Sequence, residues 1–124
     1  MKRIPRLAAV MALAASFSAA AQTTYHVRTD GGDSAQCTGL ADAAYPGSGT
    51  GQPCAFRHPF WALDASGQWV LQGGDTLVIH GGSYKMGYGE GNLPSDICST
   101  DYPWACHLPP LPSGVAGGAR VTDW

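Results

Sequence analysis

The groups in this 124-residue chain that could do chemistry are four histidines, four cysteines and nine acidic residues. Cys54 and His58 stand in one short stretch, and Cys106 and His107 are adjacent with Cys98 nearby. Thiolate and imidazole together suit zinc, but structural zinc sites space their cysteines by two to four residues, and Cys98 and Cys106 are farther apart than that. Cys106-His107 also lacks the first cysteine of a haem-attachment signature. Asp30 and Asp33 flank two glycines and offer oxygens to calcium, yet their spacing fits no EF-hand loop. Capping of a turn accounts for them better. Glu90, Asp96 and Asp101 could supply a carboxylate pair for acid–base work, and a solvated loop accounts for them as well. His80 follows an apolar run and precedes Gly81, which marks a strand end rather than a base with an acidic neighbour. Neither a phosphate-binding glycine loop, a nucleophile elbow nor a Ser-His-Asp pattern is present. No catalytic, cofactor-binding or metal-ligating residue is assigned from the sequence, and no cofactor is expected.

Tyr84, Tyr88, Tyr102 and Trp104 are a second kind of candidate. A flat ring suits the apolar face of a pyranose, so these four could stack on carbohydrate. Packing of loops against a strand is the plainer role for them.

These groups need a frame, and the chain begins with a segment outside any frame. Lys2, Arg3 and Arg6 precede an apolar run over 7–17, and Ala19-Ala20-Ala21 follows it. That is the layout of a secretory signal peptide occupying 1–21, cut between Ala21 and Gln22. The run is too short for a membrane span, which needs roughly 20 residues. Export to the periplasm, the medium or the cell surface is therefore expected. The exported part, 22–124, keeps Arg28, Arg57, Lys85 and Arg120 against all nine acids. An acidic excess of this kind argues against nucleic acid or an anionic membrane as partner.

All 17 glycines and every proline but Pro5 lie in the exported part. With so many aromatics and cysteines beside them, they read as short strands joined by tight turns rather than as disorder. Cys37, Cys54, Cys98 and Cys106 are an even set in an oxidising compartment, so disulfides are expected. Of the three pairings, Cys37–Cys54 with Cys98–Cys106 closes one glycine- or proline-rich loop within each segment. Each loop would add about 2–3 kcal/mol of stability.

Along the chain, "TTYHVRT" alternates, with Tyr25 and Val27 on one side and His26 and Arg28 on the other, which predicts a half-buried strand. "DGGDS" should end it in a turn. A long loop follows over 35–54. "RHPFWALDASGQ" (57–68) predicts a short helix with Pro59 in its first turn, Gly67 at its stop, and Phe60, Trp61 and Leu63 on its apolar face above Leu71. "DTLVIH" (75–80) is the best strand, and Leu77-Val78-Ile79 suggests burial on both faces or a core place in a parallel sheet. Gly81-Gly82 turns the chain, Ser83-Tyr84 resumes an extended course, 87–114 is an excursion rich in glycine and proline, and Val121 marks a further strand.

The order of "TYHVRTDGGDS", "HPFWAL" and "GGDTLVIHGGSY" resembles the N-terminal end of a right-handed parallel β-helix of the pectate-lyase-like superfamily. The matching residues are 25–33, 59–63 and 74–84. The resemblance implies a mostly β fold: a cap with a short helix, a first rung at Leu77-Val78-Ile79, and long disulfide-closed loops. It also implies a parent protein that binds or cleaves polysaccharide, with its catalytic groups, and in some cases calcium, on middle rungs. No such residue carries over to this chain, which would supply the cap. A rung takes roughly 20–30 residues and about three are needed to bury a continuous core. The chain has room for two at most, so 22–124 is expected to be an incomplete β-helix domain, a fragment whose C-terminal rungs are missing. Two other classes stay open: a complete small disulfide-stabilised secreted binding domain, and a surface adhesin-type β-helix without catalysis.

Overall fold

β1 (Thr24–Gly32) and β2 (Thr76–Ile79) lie side by side and parallel, with Thr24 opposite Thr76, Tyr25 opposite Leu77, His26 opposite Val78 and Val27 opposite Ile79. These come from a computed structural model that describes residues 21–114 together with Ser16. The rest of the expected signal segment and the strand expected at Val121 lie outside the described residues. Ala21 and Gln22, on either side of the expected cut, are both exposed. Among the described residues no helix is long and apolar enough to cross a membrane. Among the described residues the architecture is two parallel strands, two short 3-10 turns (Pro59–Ala62 and Ser95–Ile97) and long loops, in keeping with a mostly β chain.

The alternation in β1 does what alternation should. Val27 is fully buried and Tyr25 half-buried against Phe56, Ala62 and Leu77, while His26 and Arg28 occupy the other face. β1 does not end at Asp30, as the glycines suggested. Gly31 and Gly32 stay extended because another stretch of backbone lies against them. A Cβ on Gly31 would stand 2.3 Å from the Ala55 carbonyl oxygen. Gly32 N–H donates to that same carbonyl at 3.0 Å, and Arg57 N–H donates to Gly32 O at 2.8 Å. The glycines permit close approach rather than a turn. The turn falls one step later, where Asp33 Oδ1 accepts from the N–H groups of Ala35 and Gln36.

β2 runs parallel, but at an edge. Its middle residues are half-buried and Ile79 is 44% exposed, so the apolar trio is not covered on both faces. β1 shields one edge of β2, and among the described residues no strand pairs with the other. Past β2 the course over Ser83-Tyr84 is irregular rather than a strand.

The helix expected over 57–68 shrinks to the four-residue turn Pro59–Ala62. Leu63 is already extended and bridges Trp69 antiparallel. Asp64 is the cause: its Oδ1 accepts from Ser66 N–H, Ser66 Oγ–H and Gln68 N–H, which folds the chain into a tight Asx turn in competition with a helix. Gly67, at φ 78°, serves that turn and not a helix stop. The short turn still performs the packing asked of the helix. Phe60 and Leu63 are buried in a cluster with Leu93, Cys106 and Leu108, and Ala62 joins the cluster under the sheet. Leu71 is also buried.

The disulfides are Cys37–Cys54 and Cys98–Cys106, and no described cysteine is free. Two such bonds fit an oxidising compartment.

Candidate functional site

The backbone segments that carry three of the four aromatic candidates are brought together. Gly87 lies against the backbone of Pro103 and Trp104, with φ 119°, and a Cβ there would be 2.7 Å from Trp104 Cα. Tyr88 N–H donates to Pro103 O at 2.8 Å, which fixes the 87–88 segment to the 98–106 loop. Within that loop, Tyr102 N–H donates to Ser99 Oγ, Ser99 N–H to Ala105 O, and the Cys98–Cys106 bond closes the ends. The result is a surface carrying Tyr88, Tyr102 and Trp104, exposed by 57%, 59% and 60%. The Tyr102 and Trp104 rings meet edge to face, with centroids 5.4 Å apart. Exposed rings on adjoining segments make this surface the candidate contact site.

Tyr84 is not part of that surface. It is half-buried, its hydroxyl donates to His80 O at 2.8 Å, and it packs edge-on against His58. Its role is to pin the segment after β2 under the sheet.

The zinc candidates do not assemble. All four sulfurs are in disulfides, which leaves no thiolate for Cys54/His58 or Cys106/His107. His58 is buried, with Nε2 donating to Lys85 O at 2.7 Å and Nδ1 accepting from Phe60 N–H at 3.1 Å. Those two contacts fix its neutral tautomer, and burial lowers its pKa below the ordinary 6.5. Asp33 caps a turn, Asp30 pairs with Arg28, and Asp96 and Asp101 are exposed in their loop.

A polar cluster that the sequence did not announce lies on the other face of the sheet. His26 Nδ1 is 3.3 Å from His80 Nε2, and His80 Nε2 is 3.4 Å from Asp42 Oδ1. Arg28 borders it, donating from Nη1 to Asp42 at 2.8 Å and from Nε and Nη2 to the two oxygens of Asp30 at 2.8 and 2.9 Å. The hydrogen bonds from Arg28 hold both carboxyls below the usual carboxylate range. The outward parity of His26 and the strand-end position of His80 were readable. The parallel register that makes them neighbours, and the loop that brings Asp42 to them, were not.

A shallow cleft of about 350 Å³ opens between Tyr25, Phe56, Trp61 and Asn92. Trp61 Nε1 is buried without a hydrogen-bond partner.

No protein-family model, curated protein or solved structure matches this chain.

Proposed function

We propose that this chain is the N-terminal part of an exported β-helix protein, and that it binds a neutral polysaccharide through Tyr88, Tyr102 and Trp104. One observation carries the binding: Tyr88, Tyr102 and Trp104 are largely exposed on adjoining backbone segments, and the Tyr102 and Trp104 rings meet on a loop closed by the Cys98–Cys106 disulfide. Backbone contacts and the disulfide already hold the loop, which lowers the ordering cost of stacking a CH face on these rings. The charge supports a neutral ligand. Asp101 adjoins Tyr102, and the whole chain carries more acids than bases, which repels a polyanion.

The β-helix part of the reading is supported by the parallel register of β1 and β2 and by the outer edge of β2, which no strand among the described residues covers. A following rung would lie on that edge. The buried turn Pro59–Ala62 supports the role of a cap.

Affinity electrophoresis of the full chain in gels containing soluble β-glucan, xylan or polygalacturonate tests the binding. Retardation by a neutral glycan, lost in a Tyr102→Ala/Trp104→Ala variant, is expected. Equal mobility in every gel, or retardation that survives the double substitution, rejects it.

A further inference from the structure

We propose that His26, His80 and Asp42 form a binding site for a divalent transition-metal ion of the zinc class. The ligand atoms of these three side chains all lie within 4.8 Å of one another. A tetrahedral ion with bonds of about 2.0–2.1 Å separates its ligand atoms by about 3.3–3.4 Å. The His26–His80 and His80–Asp42 contacts, 3.3 and 3.4 Å, have that length.

Hydrogen bonding explains the arrangement less well. His80 Nε2 faces two groups at once, the ring nitrogen of His26 and the Asp42 oxygen. A single proton on it can be directed to only one of them well, and both contacts are long for hydrogen bonds. A cation at the centre satisfies all three atoms together.

The charge also fits. Arg28 would oppose a cation if its own charge were uncompensated, but Asp30 takes two of its donors in a forked pair. Arg28, Asp30 and Asp42 together leave one negative charge beside the two imidazoles. Arg28 Nη1 donates to the same Asp42 Oδ1 that faces His80, so that oxygen would keep one lone pair for Arg28 and offer the other to the ion, with Arg28 as the outer partner that orients the carboxylate.

The frame is set before any ion arrives. The parallel register places His26 of β1 and His80, next after β2, on one face. Asp42 rides on the loop closed by Cys37–Cys54, and that loop is sewn to the site by His26 N–H donating to Gly39 O at 2.7 Å. Two imidazoles and one carboxylate select zinc, nickel or copper over calcium and magnesium, which need sets made of oxygen. Three protein ligands leave a fourth tetrahedral position for water or another ligand. The site shares no residue with the aromatic surface and does not depend on its role.

The test uses the full chain, treated with chelator and titrated calorimetrically with Zn²⁺, and separately with Ca²⁺. One Zn²⁺ per chain in the micromolar range or tighter is expected, with no response to Ca²⁺. His26→Gln and His80→Gln should each weaken Zn²⁺ binding by at least about tenfold, and His107→Gln should leave it unchanged. Co²⁺ should give the visible absorption of a tetrahedral site, altered in Asp42→Asn. His80 and Asp42 are partly exposed, so their variants should keep the wild-type urea midpoint in the absence of metal. Failure of the native chain to bind Zn²⁺, or binding by His26→Gln or His80→Gln as tight as the native chain's, overturns the proposal.

Discussion

Asp75 Oδ1 accepts from Thr23 N–H at 2.9 Å, so the residue before β2 holds the residue before β1. Its Oδ2 accepts from Gln72 N–H at 2.8 Å and closes the turn that leads into β2. Asp75 is 4% exposed and both bonds are partly buried, so removing the carboxylate costs two bonds that water only partly replaces. Two bonds from a buried side chain to the segments before β1 and β2 make Asp75 the register clamp of the sheet. Asp75→Ala should lower the unfolding free energy by about 2–4 kcal/mol. Asp75→Asn, which keeps one acceptor oxygen, should cost less. Urea denaturation of the two variants checks the order.

His58 makes stability depend on pH with a definite sign. Burial, the largest influence, lowers its pKa in the folded chain, and protonation of Nδ1 would expel the Phe60 N–H that it accepts. The unfolded chain therefore binds the proton more readily below the ordinary value of 6.5. The contribution of His58 is complete above that value and is lost as pH falls from there to the lower folded value. His58→Asn should be less stable than the native chain at neutral pH, and its stability should fall less on acidification. Urea midpoints taken at about pH 7.5 and about pH 5.5 for both proteins measure the difference in slope.

What the sequence made legible is local. Alternation in "TTYHVRT" located β1 and its buried face, because every second side chain of a strand shares a side. Leu77-Val78-Ile79 located β2, because three apolar, partly β-branched residues between glycines suit little else. The errors arose where a residue's role depends on a distant segment. Gly31 and Gly32 look like a turn until the Ala55–Phe56 backbone is seen against them. The helix over 57–68 failed for a nearer reason, since Asp64 lies early enough in it to draw Ser66 and Gln68 into its own turn. Of the aromatic candidates, Tyr84 was separated from the others only by the backbone carbonyl of His80 that its hydroxyl reaches. His26, Asp42 and His80 could not be grouped at all. Two of them meet across 54 residues, and the third arrives on a loop without periodicity.

The two disulfides should separate the two proposed sites. Their loops span 17 and 8 residues, and the chain-entropy estimate gives each about 2.5–3 kcal/mol, so stability alone will barely distinguish them. Position will. Cys37→Ala/Cys54→Ala frees the loop that carries Asp42, and should weaken Zn²⁺ binding while leaving glycan retardation in place. Cys98→Ala/Cys106→Ala frees the loop that carries Tyr102 and Trp104, and should have the opposite effect. Running calorimetry and affinity gels on both variants shows whether the losses cross.

Gly87 offers the sharpest test of the aromatic surface, because it bears no ring of its own. Its φ of 119° is poorly open to an L side chain, and an added Cβ would stand 2.7 Å from Trp104 Cα and 2.8 Å from Pro103 O. These are backbone atoms and cannot rotate aside. Gly87→Ala must therefore push the 87–88 segment away from the 98–106 loop and break the Tyr88 N–H bond to Pro103 O. Tyr88 would then part from Tyr102 and Trp104, although all three rings remain. If binding needs only exposed aromatic area, Gly87→Ala should bind glycan as the native chain does. If it needs the three rings held in one arrangement, retardation should fall nearly as far as in Trp104→Ala, which should itself change the urea midpoint little because Trp104 is largely exposed. We expect the second outcome. Zn²⁺ binding by Gly87→Ala, unchanged from the native chain, would show that the loss is confined to the aromatic surface.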